Sequence, residues 1–199
     1  LQVEERIPVK AGALTLLFPQ WLPGQHAPNG RVDRMAGLTI SCNGQPIPWR
    51  RDSANVYAFH LDIPQGVAAI DLKFQYLSAL TSAQGRMFMS ADMLHIKWHD
   101  VVLYPAGYFA RRIPIALEVT VPQGWDIATA LDADVKSGSR TQFKTIDLDT
   151  VVDSPMVAGR YSKKIDLDPN GRSRVTLNVF GDKEDLIEAK PAHIDAHRN

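Results

Sequence analysis

An all-β fold is the architecture that the sequence predicts: an antiparallel β-sandwich with loops rich in proline and glycine and a short C-terminal helix. Apolar and polar residues alternate with a period of two along much of the chain, which is typical of half-buried strands. The 13 glycines and 13 prolines are spread along the 199 residues, which indicates many turns between short elements. Short strands separated by regular turn signals favour a sandwich or barrel.

The clearest strands are those in which at least three apolar residues alternate with polar or small ones. They are predicted at 57–63, 70–76, 112–121 and 175–179. The tripeptide Pro-Gln-Gly follows two of them and suits a turn. Weaker patterns predict further strands at 13–18, 36–41, 85–90, 94–104, 141–148 and 160–167. Together these elements account for the predicted sandwich.

Helical features are confined to the end of the chain. Asp182 is a suitable N-cap, acidic residues follow in the first turn, and Leu186 and Ile187 supply an apolar side. Pro191 is expected to stop or kink this helix. We therefore predict a β-sandwich domain over residues 1–181 and a helical linker over residues 182–199.

Composition excludes several classes of protein. Lys and Arg together number 22, and so do Asp and Glu, which makes the formal net charge zero. We expect no nucleic-acid partner, because such proteins carry a basic excess or stripe. The chain holds no apolar run of the about 18 residues that a membrane-spanning helix needs. The single cysteine, Cys42, excludes an internal disulfide and a cysteine-based zinc site but leaves the compartment open.

The segment 18–34 differs from the alternating regions. Its sequence, FPQWLPGQHAPNGRVDR, places three prolines and two glycines around Trp21 with little periodicity. The fixed φ angles of proline stiffen such a loop. We predict that it presents Trp21 and His26 rigidly. For His26 a role in packing or hydrogen bonding is favoured over catalysis, because loop position alone is a modest functional indication.

The chain shows no catalytic machinery of its own. His95 and His99 have the spacing of a helical metal pair, but they alternate with Leu94, Ile96 and Trp98, which predicts a strand whose polar face they share. Four residues of a strand span about 13 Å, too far for one metal ion. No histidine is followed by Glu, so the zinc-peptidase motif H-E-x-x-H is absent. Nucleophile-elbow and phosphate-binding motifs are absent too.

Several segments, taken in order, resemble the N-terminal domain of the glycyl aminopeptidase family of zinc metallopeptidases. The resemblance runs from about Leu14 to Asp182 and includes a P-x-W-x-P-G element and an N-G element with a nearby Trp. Many relatives have Tyr after P-G-x, where this chain has His26. The segments are LLFPQWLPGQHAPNGRVDRMAGL, NGQPIPWRRD, YAFHLDIP, LYPAGYFARRIPIALEVTVPQGW and TVVDSPMVAGRY.

This resemblance implies the function of a non-catalytic domain. The parent enzyme would remove Gly- or Ala-type residues from the N-terminus of a peptide substrate. Its helical catalytic domain, which holds the H-E-x-x-H helix with the zinc ligands and the catalytic Glu, would be the partner in cis. We therefore expect no cofactor, catalytic residue or metal ligand in this chain, and zinc in the absent domain. The loop residues Trp21, Gly24, Gln25 and His26 are expected to line the substrate cleft.

The resemblance also bears on the parent protein. Many relatives carry a PDZ domain after the catalytic domain, and a bacterial, periplasmic or secreted parent is expected. The chain opens with LQVEERIPV, without the Met, basic region and apolar region of a signal peptide. We therefore expect a domain excised from a longer protein.

A second function stays open from the sequence. The chain is also consistent with a stand-alone β-sandwich module that binds carbohydrate or peptide through stacking on tryptophan. Four tryptophans are available, and core packing is the favoured explanation for them because large aromatics are mostly buried. They are Trp21, Trp49, Trp98 and Trp125.

Overall fold

The computed structural model describes residues 1–22, 24–79, 89–168, 170–171 and 175–198, and antiparallel strands dominate these ranges. The strands are β1 (Gln2–Pro8), β2 (Gly12–Leu17), β3 (Met35–Cys42), β4 (Gln45–Pro46), β5 (Trp49–Arg51), β6 (Ala58–Ile63), β7 (Ala69–Tyr76), β8 (Met93–Ile96), β9 (Tyr104–Pro105), β10 (Pro114–Ile115), β11 (Glu118–Thr120), β12 (Asp126–Thr129), β13 (Ala133–Ser137), β14 (Arg140–Phe143), β15 (Ile146–Asp147), β16 (Met156–Gly159), β17 (Tyr161–Asp166) and β18 (Thr176–Gly181). The short helices are α1 (Leu148–Val152) and α2 (Pro191–Arg198), with 3₁₀ turns at Val32–Arg34, Trp98–Asp100, Ala110–Arg112 and Glu184–Ile187. The predicted all-β fold with a short C-terminal helix is confirmed.

The chain divides into two compact units. The first consists of Leu1–Ser78, Lys97–Pro114 and Asp147–Asp153, and the second of Ala79–Ile96, Ile115–Ile146 and Ser154–Asn199. The division of the chain into a domain over 1–181 and a linker over 182–199 stays a prediction. In the described part of the chain, no helix is long and apolar enough to cross a membrane.

The first unit is a β-sandwich. One sheet has the strand order β1-β7-β3-β4 and the other β5-β6-β2-β9. Both sheets contribute apolar side chains to a single core that includes Leu16, Phe59, Ile70 and Leu72, all almost completely buried. Each such side chain contributes about 1.5–3 kcal/mol when it is removed from water. The alternation in the sequence therefore has the physical cause that we expected: one face of each sheet packs on the core.

The second unit contains smaller antiparallel sheets. Their strand orders are β12-β16-β8 and β11-β14-β13, and β17 pairs with β18. The 3₁₀ turn at Glu184–Ile187 packs on β17 and β18. The chain passes from one unit to the other five times, after Ser78, Ile96, Pro114, Ile146 and Asp153, and two of these passages lie within β10 and β15.

Most of the predicted strands are present. The clearest patterns correspond to β6, β7, β10 with β11, and β18. Within 113–121 the residues between the alternating positions are exposed, whereas the alternating apolar residues are half-buried (Ile113, Ile115, Leu117 and Val119) or buried (Val121). The patterns at 13–18, 36–41 and 160–167 match β2, β3 and β17, and 141–148 matches β14 and β15. Of the predicted strand 85–90, residues 85–88 lie outside the described residues. The chain segment 2–8 forms β1, which the sequence analysis did not predict.

Two local predictions are wrong. The segment 94–104 is not one strand, because β8 ends at Ile96 and a 3₁₀ turn follows at Trp98–Asp100. At the C-terminus, Asp182 caps no helix in the described chain; its carboxylate instead accepts a hydrogen bond from the Ser90 hydroxyl. Pro191 begins α2 rather than stopping a helix. The first position of a helix needs no hydrogen bond from its backbone nitrogen, and the φ angle of proline suits it.

Candidate functional site

The loop predicted to present Trp21 is closed at its neck by backbone contacts. The carbonyl of Gln20 accepts hydrogen bonds from the amides of Asn29 (2.9 Å) and Gly30 (3.3 Å). Gly30 lies against the chain that enters the loop, and a Cβ atom at Gly30 would be 1.9 Å from the carbonyl oxygen of Pro19. This position therefore requires glycine. We refer to residues 19–22 and 24–30 as the tryptophan loop.

Further contacts fix the interior of the tryptophan loop. Trp21 and Pro28 form an isolated β-bridge, and the hydroxyl of Tyr57 donates to the carbonyl of Pro28 at 3.1 Å. The Gln25 amide donates to the carbonyl of Leu22 at 3.0 Å, across a turn in which Gly24 has a φ of 71°. The left-handed region is readily accessible to glycine, which explains the residue at that position.

The predicted cleft residues differ in what they contact. Gln25 Oε1 accepts a hydrogen bond from Asn29 Nδ2 at 3.0 Å. His26 is exposed. Trp21 keeps 64% of its surface exposed. The tryptophan loop thus brings the four predicted residues onto one short, internally bonded segment and leaves an indole ring accessible to a ligand.

The other three tryptophans are covered to different degrees. Trp98 is buried, Trp125 is half-buried, and Trp49 packs edge-to-face on Phe59 with the ring centroids 5.6 Å apart. Core packing is therefore confirmed for Trp98 and Trp49. Trp21 is the exposed member of the four, all of which belong to the described chain.

Next to the chain that leaves the tryptophan loop lies a buried polar cluster, formed by Tyr76, His99 and Asp100 with the half-buried Arg34 at its edge. The chain that leaves the loop carries Arg34, whose carbonyl accepts a hydrogen bond from the Leu77 amide at 2.9 Å. The hydroxyl of Tyr76 donates to the carboxylate of Asp100. Arg31 and Arg34 both act electrostatically on Asp100, which joins the base of the loop to the cluster.

Burial perturbs both ionisable groups at the centre of this cluster. It raises the pKa of Asp100 to about 6, against the hydrogen bond from Tyr76 and the positive charges of Lys97, Arg34 and Arg31. It lowers the pKa of His99 to about 4, and the positive charge of Lys97 acts in the same direction. At neutral pH, His99 is therefore uncharged.

This cluster was not predicted. The alternation predicts His99 on the polar face of a strand, whereas the 3₁₀ turn directs it inward and leaves the residue 9% exposed. The period-two alternation of a strand does not continue through a 3₁₀ turn. The sequence pattern therefore could not indicate that His99 points inward. His95 lies on β8 opposite Val157, as a strand position predicts.

A half-buried acid, Glu5, was not predicted because it interrupts an apolar pattern. Glu5 lies on β1 between Val3 and Ile7, and both of these neighbours pack on the sandwich core. One carboxylate oxygen of Glu5 accepts a hydrogen bond from the Leu103 amide at 2.9 Å. Burial raises the pKa of Glu5 to about 8, against the effect of that hydrogen bond. The alternation at Val3, Ile7 and Val9 was the signal available in the sequence.

The described residues do not form the donor set of a metal centre. Within the described ranges, no three His, Cys, Asp or Glu side chains lie together as a metal site requires. A zinc ion takes at least three protein ligands in catalytic sites and four in structural ones.

Comparisons with known proteins agree with this architecture. Residues 1–160 match the family model described as the peptidase M61 N-terminal domain. Among solved structures, the chain is similar to an aminopeptidase N family protein from Idiomarina loihiensis, with a TM-score of 0.77 and 17% sequence identity. The match covers 90% of this chain and 30% of that protein, so this chain spans under a third of its length. No curated protein matches the chain.

The family match confirms the resemblance found in the sequence, because it covers most of the chain and includes the tryptophan loop. At 17% identity the solved structure bears on the fold alone. By the family match, the chain belongs to the family of peptidase M61 N-terminal domains.

Proposed function

We propose that this chain is the non-catalytic N-terminal domain of a zinc metalloaminopeptidase and that its tryptophan loop forms part of the wall of the substrate cleft. The parent enzyme removes Gly- or Ala-type residues from the N-terminus of peptides. Its zinc ion is bound in a catalytic domain that is the partner of this chain in cis. Membership of the peptidase M61 N-terminal family supports the role of the domain.

The observation that carries the proposed role of the loop is the exposure of Trp21 on a closed and bonded segment. Tryptophan is enriched among the residues that dominate binding energies, because it removes a large apolar area from water. A segment that is already ordered loses little further conformational freedom when it binds. The tryptophan loop therefore has the properties of a preformed contact surface.

Catalysis by this chain itself has no support in its residues. H-E-x-x-H is absent from the sequence, and among the described residues no three donor side chains lie together as zinc requires. His99 and Asp100, whose pKa values are strongly shifted, are buried, and Glu5 is half-buried at the sandwich core. We therefore assign no reaction step to this chain.

Kinetics of the parent enzyme test the proposal. In the protein that contains the catalytic domain, Trp21→Ala is expected to raise KM for a short Gly- or Ala-initiated peptide about tenfold, with kcat changed less than about twofold. This corresponds to losing the burial of roughly 50–60 Å² of apolar surface at about 25 cal/mol per Å². Phe109→Ala is the matched control, because Phe109 is 75% exposed in the same unit but lies outside the loop.

The result that contradicts this role is equally specific. An unchanged KM for Trp21→Ala, or an effect equal to that of Phe109→Ala, would show that the loop makes no contact with substrate. A loss of kcat alone would place the effect on the chemical step instead.

A stand-alone binding module remains the second candidate, and the same exposed indole ring favours it. In this case the chain by itself would bind an oligosaccharide or peptide by stacking on Trp21. Glycan-array and peptide titrations of residues 1–199 distinguish the two functions. Saturable binding that Trp21→Ala abolishes supports the module, and absence of binding supports the domain of a larger enzyme.

A further inference from the structure

The second unit contains a cavity of about 250 Å³ that the proposed function does not use. Its walls come from β12, from the β13–β14 pair and from the β17–β18 pair. Liquid water occupies about 30 Å³ per molecule, so the cavity has the volume of about eight waters. It therefore suits a compact ligand of roughly that number of heavy atoms.

Two lysines line this cavity from different sheets. On one wall, Lys136 of β13 lies opposite Thr141 of β14 in the strand register. On another wall, Lys164 of β17 lies opposite Asn178 of β18. Each lysine is thus accompanied by a cross-strand neighbour that can donate a hydrogen bond. The two ammonium groups and these neighbours supply donors to the same space.

The positive charge of this cavity is not neutralised by the nearby acids. Asp132 forms an ion pair with Lys144, and Asp166 accepts a hydrogen bond from the Asp168 amide. In the described chain, neither Lys136 nor Lys164 has an ion pair with a carboxylate. A cavity lined by two such ammonium groups attracts anions.

Thr141 adds a hydroxyl group to the lining of the same cavity. The residue is 5% exposed, and a hydroxyl can both donate and accept a hydrogen bond. A ligand oxygen in the cavity would be a suitable partner for it.

Part of the remaining lining is apolar, and the rest includes Thr129 and Thr176. Phe143 and Leu131 are buried, and Ile127 is half-buried beside them. We propose that this cavity binds a small organic carboxylate, whose oxygens contact Lys136, Lys164 and Thr141 and whose apolar body packs on Phe143, Leu131 and Ile127. This site lies in the second unit and does not depend on the proposed function of the tryptophan loop.

Titration of residues 1–199 with phenylacetate, followed by NMR of backbone amides, tests this site. We expect saturable shifts at Thr141, Phe143 and Thr176. The double substitution Lys136→Gln with Lys164→Gln is expected to weaken binding at least about tenfold, because hydrogen bonds to charged groups are the strong ones. The matched control is Lys10→Gln with Lys183→Gln, which removes the same charge from two exposed positions outside the cavity.

Two further probes separate the contribution of the ligand's charge from that of its apolar body. The neutral analogue 2-phenylethanol is expected to bind at least about tenfold more weakly than phenylacetate, and inorganic phosphate is expected to bind more weakly because it has no apolar body. Thermal unfolding of each variant establishes that it is folded. Competition between phenylacetate and a tripeptide with a free C-terminus, against its amidated form, distinguishes a free acid from a peptide terminus as the source of the carboxylate.

The proposal is overturned by any of three results: no saturable shift near the cavity, wild-type affinity in the lysine double variant, or equal binding of phenylacetate and 2-phenylethanol. Equal binding of phosphate and phenylacetate overturns the contact with the apolar lining.

Discussion

Two histidine–aspartate pairs in the first unit differ in almost every physical respect. His60 lies on β6, where its Nε2 is 2.8 Å from Asp52 Oδ2 and its Nδ1 is 2.9 Å from the Thr15 hydroxyl. His99 and Asp100 approach only to 3.9 Å between Nε2 and Oδ2. Within the described chain, His99 Nδ1 and Asp100 Oδ1 have no hydrogen-bond partner.

The difference shows that burial, not proximity, determines what such a pair does to the fold. At the surface, the Asn55 amide, the His60 side chain and the Ala54 amide hold the pKa of Asp52 well below its usual range, so the carboxylate stays charged. In the interior, desolvation shifts His99 and Asp100 toward their uncharged forms. The surface pair links neighbouring strands through hydrogen bonds. The buried pair instead lowers the free energy of unfolding, because both of its groups are desolvated.

The largest effect is expected at Glu5. It tests whether desolvation determines the pKa of this carboxyl even though the carboxyl accepts a hydrogen bond. Folded Glu5 keeps its proton to a pH of about 8, and the unfolded chain releases it near 4.5. The free energy of unfolding is therefore expected to fall as pH rises from 4.5 to 8, by at most about 5 kcal/mol at 1.36 kcal/mol per pKa unit. Glu5→Gln should flatten this slope in urea unfolding at several pH values.

Glu4→Gln is the control for this experiment, because Glu4 lies on the exposed face of β1 in a surface ion pair with Lys73. Such pairs contribute about 0–1 kcal/mol. A Glu5→Gln variant with the same pH slope as the wild type would show that the carboxyl is not desolvated.

The two groups of the buried pair, His99 and Asp100, should change the free energy of unfolding with pH in opposite directions. Because the pKa of His99 is lowered, its contribution to stability rises as pH increases from about 4 to 6.5; because the pKa of Asp100 is raised, its contribution falls from about 3.8 to 6. Each amounts to about 3 kcal/mol. Relative to wild type, Asp100→Asn should make the slope over pH 4–6 more positive, and His99→Gln should make it more negative.

These slopes are measured by urea unfolding of the three proteins between pH 4 and 6.5. A shift of the same sign in both variants would show that the two groups do not titrate as a pair with opposite perturbations.

Removing a contact of the surface pair should change the free energy of unfolding far less. Thr15→Val removes the hydroxyl that contacts His60 Nδ1 and is expected to lower the free energy of unfolding by about 0.5–1.5 kcal/mol. Urea unfolding at pH 7 provides the measurement, with Thr39→Val, another strand threonine of the same unit, as the control. If Thr15→Val lowered the free energy of unfolding by more than Asp100→Asn or His99→Gln changes it, the surface pair would matter more for stability than the buried pair, contrary to this account.

The smallest effect is expected at Trp21. Because the side chain is largely exposed, Trp21→Ala should change the stability of residues 1–199 by no more than about 0.5 kcal/mol. Gly30→Ala should be clearly more destabilising, since its Cβ atom would collide with the carbonyl of Pro19. Thermal unfolding of both variants tests whether the ring is dispensable for folding while the neck is not.

The sequence predicted those features that repeat along a strand. Alternation located the core positions of β6, β7 and β11, and the cluster of prolines located the tryptophan loop. It did not locate Glu5, because one inward acid looks like a break in the pattern. It also did not locate His99, whose inward direction arises from a 3₁₀ turn that follows β8 without a local signal. Tertiary packing determines both positions, and a single sequence carries little information about it.

The proposal of a non-catalytic domain is tested most directly by assaying purified residues 1–199, supplied with zinc, on Gly- and Ala-amide substrates. We predict no turnover above that of the buffer, because the chain contains no H-E-x-x-H motif and its described residues present no zinc-binding donor set. Turnover that a chelator abolishes and added zinc restores would contradict the proposal.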